Sequence, residues 1–213
     1  MAAIKKKLFI LLLALIALFA PSQALDQSDA WEARLNRLQP PEKVLAATEV
    51  KPGMVIGEVG AGRGRYTVHL SGWVGPQGRV YAEDIDAGAL DYLRFRCRRD
   101  QLTNIETIMG TVSDPLLPEN ALGMVFMVNT YHHLKEKAAI LQNIVPALKN
   151  GGRLVILEPD PLKTSGERNR LVSRPLLVRQ VEAAGFELAK LETFLAHDNI
   201  YVFILKSPRP ERE

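Results

Sequence analysis

From Met54 onward the chain alternates unrelieved apolar runs with amphipathic stretches. MVIGEV (54–59) reads as a buried strand that ends in a glycine loop, and RYTVHLSGWV (65–74) as the helix after it. RVYAED (79–84) is a second strand, followed by a helix over 89–100 with Leu90, Leu93 and Cys97 on one face. NIETIM (104–109) and LGMVFMVN (122–129) are further strands, separated by a Pro-rich stretch. Residues 135–149 place Ala138, Leu141, Val145 and Leu148 on one helical stripe, with Gly151-Gly152 as the stop, and RLVILE (153–158) is a fifth strand. Strands alternating with helices, and apolar on both sides, predict a parallel sheet covered on both faces. The end breaks the rhythm: after a helix over 175–185, FELAKLETFL and NIYVFILK are joined by Ala196-His197-Asp198 alone. So short a link permits only an antiparallel hairpin.

Upstream, Trp31, Leu35 and Leu38 form an apolar stripe on a helix that Asp29 would cap, and Pro41 opens a second helix over 41–50, stopped by Lys51-Pro52-Gly53. These make a helical extension (25–52) on a single domain spanning 25–213. The first 24 residues read as a secretory signal: Lys5 to Lys7, the thirteen apolar residues 8–20, then Ser22-Gln23-Ala24 as a small-x-small cleavage site. Thirteen residues fall short of the ~20 that cross a bilayer, so cleavage after Ala24 and an exported, periplasmic or secreted body are expected, with an uncleaved membrane anchor as the alternative. After cleavage no membrane span is expected. The polar stretch 159–174 reads as a mobile loop.

Composition changes this picture only by exclusion. With 47% hydrophobic residues, 7% aromatic, and Gly and Pro spread throughout, the chain is neither disordered nor collagen-like. Of the 27 basic side chains, three are Lys5 to Lys7, so the rest balance the 24 acidic ones and no nucleic-acid partner is implied. The single Cys, Cys97, permits no internal disulfide and belongs to a helix's apolar face.

The chemistry gathers at GEVGAGRGRYT (57–67). Gly60, Gly62 and Gly64 allow a sharp turn and a close approach to a ligand, and the next helix offers free N–H groups. The spacing is G-x-G-x-G rather than the G-x-G-x-x-G of nicotinamide-binding folds. Glu58 just before the loop would repel a pyrophosphate and favours a cationic or zwitterionic ligand. Asp84, where the second strand opens, is placed to accept ribose hydroxyls, on the reading that Val80, Ala82 and Ile85 look inward; Glu83 and Asp86 read as surface acids.

In these residues the chain resembles the class I S-adenosylmethionine-dependent methyltransferases. The resemblance spans most of 40–205 and rests on EVGAGRG (58–64), GRVYAEDID (78–86), GTVSDPLLP (110–118), NTYHHL (129–134) and ALKNGGRLVILEPDP (147–161), with AAGFEL and the closing hairpin after them. It implies a Rossmann-like, doubly wound seven-stranded sheet, mostly parallel with an antiparallel last strand, and S-adenosylmethionine across the carboxyl ends of the first strands. Carried over by position, Glu58 and the backbone of Gly60, Ala61, Gly62 and Gly64 would hold the methionine part and Asp84 the ribose. Adenine would lie against Ile85, the Thr111–Asp114 loop and residues after Val128, with Asn129 opening the segment that lines the reaction centre. Thr111 stands where many members carry an adenine-contacting acid, which moves that role to Asp114.

Methyl transfer needs alignment above all, and a base only where the acceptor sheds a proton. Tyr131, His132 and His133 follow the fourth strand and are the candidate catalytic groups; adjacent His on a strand end would point in opposite directions, one packed and one solvated. Two neighbouring His converge poorly on a metal, and none is expected. Glu158 and Asp160 could orient a substrate. The sequence therefore predicts methyl transfer to an unidentified small molecule. The alternatives are an exported, non-catalytic binder of the same cofactor and, opposed by the glycine spacing, an NAD(P)-dependent oxidoreductase. Nothing in the sequence sets an oligomeric state.

Overall fold

The computed structural model describes residues 30–164 and 171–206. Residues 1–24, where a signal sequence and its cleavage site are expected, Asp29, and residues 165–170 of the polar stretch lie outside them. A first helix, α1, covers 30–38 and belongs to a unit that ends at Pro40; Trp31 and Leu38 on it are exposed, so the expected apolar stripe is not buried. The body begins at Pro41 with α2 (Pro41–Ala47) and continues β1 (Val55–Val59), α3 (Thr67–Val74), β2 (Arg79–Asp84), α4 (Ala87–Arg99), β3 (Ile105–Met109), β4 (Leu122–Val128), α5 (Lys137–Ile144), β5 (Leu148–Pro159), α6 (Arg174–Ala183), β6 (Phe186–Glu192) and β7 (Asp198–Leu205).

The seven strands form one sheet in the order β3-β2-β1-β4-β5-β7-β6. The first five are mutually parallel, and β7 runs antiparallel to both β5 and β6. Both faces are covered, as the unbroken apolar strands require. Alternate residues of one strand feed opposite cores: Val125 and Met127 of β4 join Ile140, Leu141 and Ile144 of α5 and Leu177 of α6, while Met124 and Phe126 join Val44 and Leu45 of α2 and Leu70 and Val74 of α3. Thus α2, expected as part of an extension, is part of the main core. The strand order reverses between β1 and β4, so their carboxyl ends open the crevice where ligands bind in such sheets.

One boundary differs from expectation. The helix foreseen over 135–149 stops at Ile144, tightens into a 3₁₀ turn at Val145–Ala147, and gives way to β5 at Leu148. Pro146 has no N–H to continue an α-helix, and its carbonyl instead accepts Asn120 N while that of Ala147 accepts Ala121 N. Leu148 is thereby aligned with Leu122, and Gly151-Gly152 lie in a strand irregularity rather than at a helix stop. The buried helical stripe is Ile140, Leu141 and Ile144, with Ala138 exposed.

Two polar anchors tie the rim of the sheet. Lys163 Nζ donates to the carbonyls of Thr193, Leu195 and Asp198, and Asp160 accepts from Asn199 Nδ2 at 2.7 Å, so the start of the stretch expected to be mobile is clasped to the β6–β7 turn. At the opposite end, Asn104 Nδ2 donates to Ser71 O at 3.1 Å and Gly75 O at 2.9 Å while its Oδ1 accepts from Ser71 Oγ, joining the end of α3 to the entry of β3. No helix among the described residues is long and apolar enough to cross a membrane. Asn104→Ala removes three half-buried hydrogen bonds at once. It should cost about 2 kcal/mol, read as a lower urea midpoint with an unchanged slope.

Candidate functional site

The glycine loop leaves β1 and is seized from three sides. Gly60 N and Ala61 N both donate to the Glu83 carbonyl, at 2.9 and 2.8 Å, and Gly62 N donates to Asp84 Oδ2 at 2.7 Å. Gly60 has φ 75°, and a Cβ there would lie 2.3 Å from Thr130 Cγ2 on the segment after β4. Only glycine meets both conditions. Gly64 presses on Leu93 of α4 in the same way, with 2.4 Å left for a Cβ. Gly62 faces open space, with nothing within 4 Å of a Cβ position. Ala61 is buried against Ala82 and Leu93, and the Arg63 guanidinium covers the Tyr92 ring at 3.9 Å.

Glu58, Glu83 and Asp84 flank this loop, with Asp114 near Glu83. Glu58 is buried and accepts Thr67 Oγ1 at 2.6 Å, anchoring the first residue of α3. Burial raises its pKa to about 7, the Thr67 bond and Arg65 opposing and Asp84 adding to the rise. Glu83, expected at the surface, is only 2% exposed. Its chain lies under the loop, Oε2 3.4 Å from Gly60 N, in space that Gly110 vacates: a Cβ on Gly110 would stand 1.9 Å from Oε1. Burial raises Glu83 to about 8, Gly60 N–H opposing and the charges of Asp84 and Asp114 adding. Asp84 spends one bond per oxygen on backbone, Oδ2 on Gly62 N and Oδ1 on Asp86 N at 2.9 Å. Asp86 is a surface acid with a structural task, since its carboxylate caps α4 through Gly88 N and Ala89 N. Asp114 Oδ1 accepts Leu116 N at 2.8 Å in the loop after β3.

Ile85 does not look inward. The strand ends at Asp84, and the Ile85 side chain is 53% exposed beside that acid. After β4, Asn129 takes φ 54° and its N–H bonds Leu157 O at 2.9 Å, turning the chain sharply. Thr130 Oγ1 then donates to Val128 O or Gly60 O, at 3.1 and 3.3 Å, bringing the segment against the glycine loop. The three candidate catalytic residues follow in a 3₁₀ turn, not on a strand end. Tyr131 is fully buried in the α5–α6 core with its hydroxyl donating to Gln180 Oε1 at 3.0 Å, which gives it a packing task and lifts its pKa by burial. His132 and His133 do not diverge, because a 3₁₀ turn lacks the alternation of a strand. Their rings lie 3.9 Å apart, His132 mostly covered and His133 exposed. His132 Nδ1 is 2.6 Å from Glu158 Oε2, and Glu158 Oε1 accepts Tyr131 N at 2.7 Å. Glu158 is thus held by this turn, and Asp160 by Asn199.

Residues 56–152 match the family model described as a methyltransferase domain. The ubiquinone/menaquinone biosynthesis C-methyltransferase UbiE of Hydrogenovibrio crunogenus is 29% identical over 175 residues, which are 77% of this chain and 63% of that protein. A demethylmenaquinone methyltransferase of a Geobacillus species is 26% identical over 117 residues, 55% of this chain and 50% of that one. A SAM-dependent methyltransferase of Aquifex aeolicus has the same fold, with a TM-score of 0.76 at 25% identity over 83% of this chain and 97% of that one. Residues 56–152 thus carry the match to a methyltransferase domain, within a fold shared with a SAM-dependent methyltransferase. The chain spans between half and two thirds of the curated relatives just named.

Within this methyltransferase domain the structure brings Glu58, Gly60 to Gly64, Asp84 and Thr130 together, and holds Tyr131 away in the core. Three contributors escaped the sequence reading: Glu83, whose readable signal was the glycine at 110 on the neighbouring strand's end, Thr130 and Thr67. The two buried acids also make the domain's stability fall as pH rises through the neutral range. The unfolded chain releases their protons near 4.5, the folded one only near 7 and 8, so the stability they contribute is full below about pH 4.5 and is lost as pH rises through about 8. Glu83→Gln should flatten that decline, giving urea midpoints that fall less than the parent's between about pH 5 and 8.

Proposed function

We propose that this protein transfers a methyl group from S-adenosylmethionine to a small-molecule acceptor. The observation that carries the reading is the set of acids at one glycine loop, Glu58 and Glu83 buried beside it, Asp84 bonded to Gly62 N and Asp114 near Glu83. Such a site repels anions and gains from a ligand that brings positive charge, as a sulfonium with an ammonium group does. The described residues fit that cofactor. Asp84 keeps a free lone pair on each oxygen for the two ribose hydroxyls, its direction fixed by the backbone bonds it already accepts. The exposed apolar Ile85 beside it offers a face to adenine, with Asp114 and Asn129 at the margins. The open side of Gly62 leaves room for the methionine part along Gly60 to Gly64. The names of the curated relatives, makers of ubiquinone and menaquinone, support a small organic acceptor over a macromolecule.

Export belongs to the same proposal. Its support is the sequence of residues 1–24, and that placement keeps a cofactor-binding protein without turnover as a second reading, because the cofactor is made inside the cell. N-terminal sequencing of the protein recovered from the cell exterior or periplasm should begin at Leu25; a chain that still begins at residue 1 removes the cleaved signal. Calorimetric titration with S-adenosylmethionine should show saturable binding that tightens from about pH 6 to 8 and releases protons, since the cation draws Glu58 and Glu83 into their ionised forms. Asp84→Ala should weaken binding by about 10- to 100-fold, the worth of hydrogen bonds to a charged group. Folded protein that takes up no cofactor overturns the reading.

A further inference from the structure

The pair His132 and Glu158 does more than place a histidine near the site. Glu158 is 2% exposed, at the carboxyl end of β5, and each of its oxygens has one defined task. Oε1 accepts the backbone N–H of Tyr131, which can only donate, and Oε2 meets His132 Nδ1 at 2.6 Å. Where the carboxylate acts as the acceptor of this contact, the hydrogen between Oε2 and the ring is carried on Nδ1. In a neutral imidazole that leaves Nε2 as the nitrogen with the lone pair, directed away from Glu158 by the geometry of the ring. The turn that carries this ring is pressed on the glycine loop through Thr130 and Gly60.

We propose that Glu158 is a positioning residue that locks His132 in its Nδ1–H tautomer, making Nε2 the base for an acceptor that loses a hydroxyl proton as it is methylated. The inference rests on the methyl-transfer reading above. In that step an oxygen lone pair forms the new C–O bond, and the C–S bond breaks with its electrons staying on sulfur. The O–H electrons stay on oxygen, and the proton passes to Nε2. The positive charge lost by the sulfonium appears on the imidazolium, where the Glu158 carboxylate stabilises it. Acceptors that offer a lone pair without a proton to lose, such as thioethers or tertiary amines, gain nothing from this arrangement. Among the described residues, the other ionisable groups around the pair include Tyr131 and His133 of the turn, Lys137 of α5 and Tyr201 of β7.

The test is nitrogen NMR of the full chain labelled with ¹⁵N-histidine, the His132 signals being assigned by their loss in His132→Gln. The parent should show His132 as Nδ1–H with a bare Nε2. In Glu158→Gln the single amide oxygen stays with Tyr131 N–H and the NH₂ turns to Nδ1, so the ring should switch to the Nε2–H form. A parent already in the Nε2–H form, or the same tautomer in parent and variant, overturns the proposal. The parent spectrum decides even if the variant fails to fold. Calorimetry with S-adenosylmethionine on the same samples separates the two levels: cofactor binding with the wrong tautomer defeats the role of Glu158 alone, whereas absent binding defeats the methyl-transfer reading.

Discussion

Two backbone N–H groups, those of Gly60 and Ala61, converge on the single carbonyl of Glu83, and the architecture of the site follows from that contact. It bends the chain leaving β1 across the end of β2, so the loop lies over the acids of the second strand instead of running straight into α3. A loop bent this way can be approached from β4 only if nothing projects from residue 60, and Thr130 fills that space. The reversal of strand order between β1 and β4 would by itself give an empty cleft. The Glu83 carbonyl and the Thr130 side chain fix the backbone of the glycine loop there, with the buried carboxylates of Glu58 and Glu83 beneath it.

Burying these carboxylates is costly. Glu58 and Glu83 are taken out of water with little positive charge nearby except Arg65, and both respond by retaining protons. The sheet is stable enough to carry this because its strands are clothed on both faces and its rim is clasped by Lys163 and Asn199. Stability thus resides in the two cores, and the charge imbalance sits at the carboxyl ends, where a cation relieves it.

Much of this was legible in the sequence. Strands β1 to β5 announced themselves as apolar runs, and the three-residue link before Asp198 required the antiparallel finish. The end of α5 was not legible, because a helical stripe through Val145 and Leu148 continues in the pattern while Pro146 diverts the backbone toward β4. Glu83 was misread for a related reason: an acid at a strand end suggests solvent, and its burial depends on an absent side chain one strand away. For the same reason Tyr131 and His132 looked equivalent. Their separation into a packed ring and a carboxylate-held ring comes from Gln180 and Glu158, many residues distant in the chain.

The vacancy at Gly110 has an evolutionary corollary. Since the Glu83 carboxylate occupies the volume that a side chain at 110 would claim, growth at 110 requires Glu83 to swing aside or shrink, whereas Glu83 can shrink alone. Divergent descendants of this chain should therefore lose the glycine after or together with a change at 83, not before it.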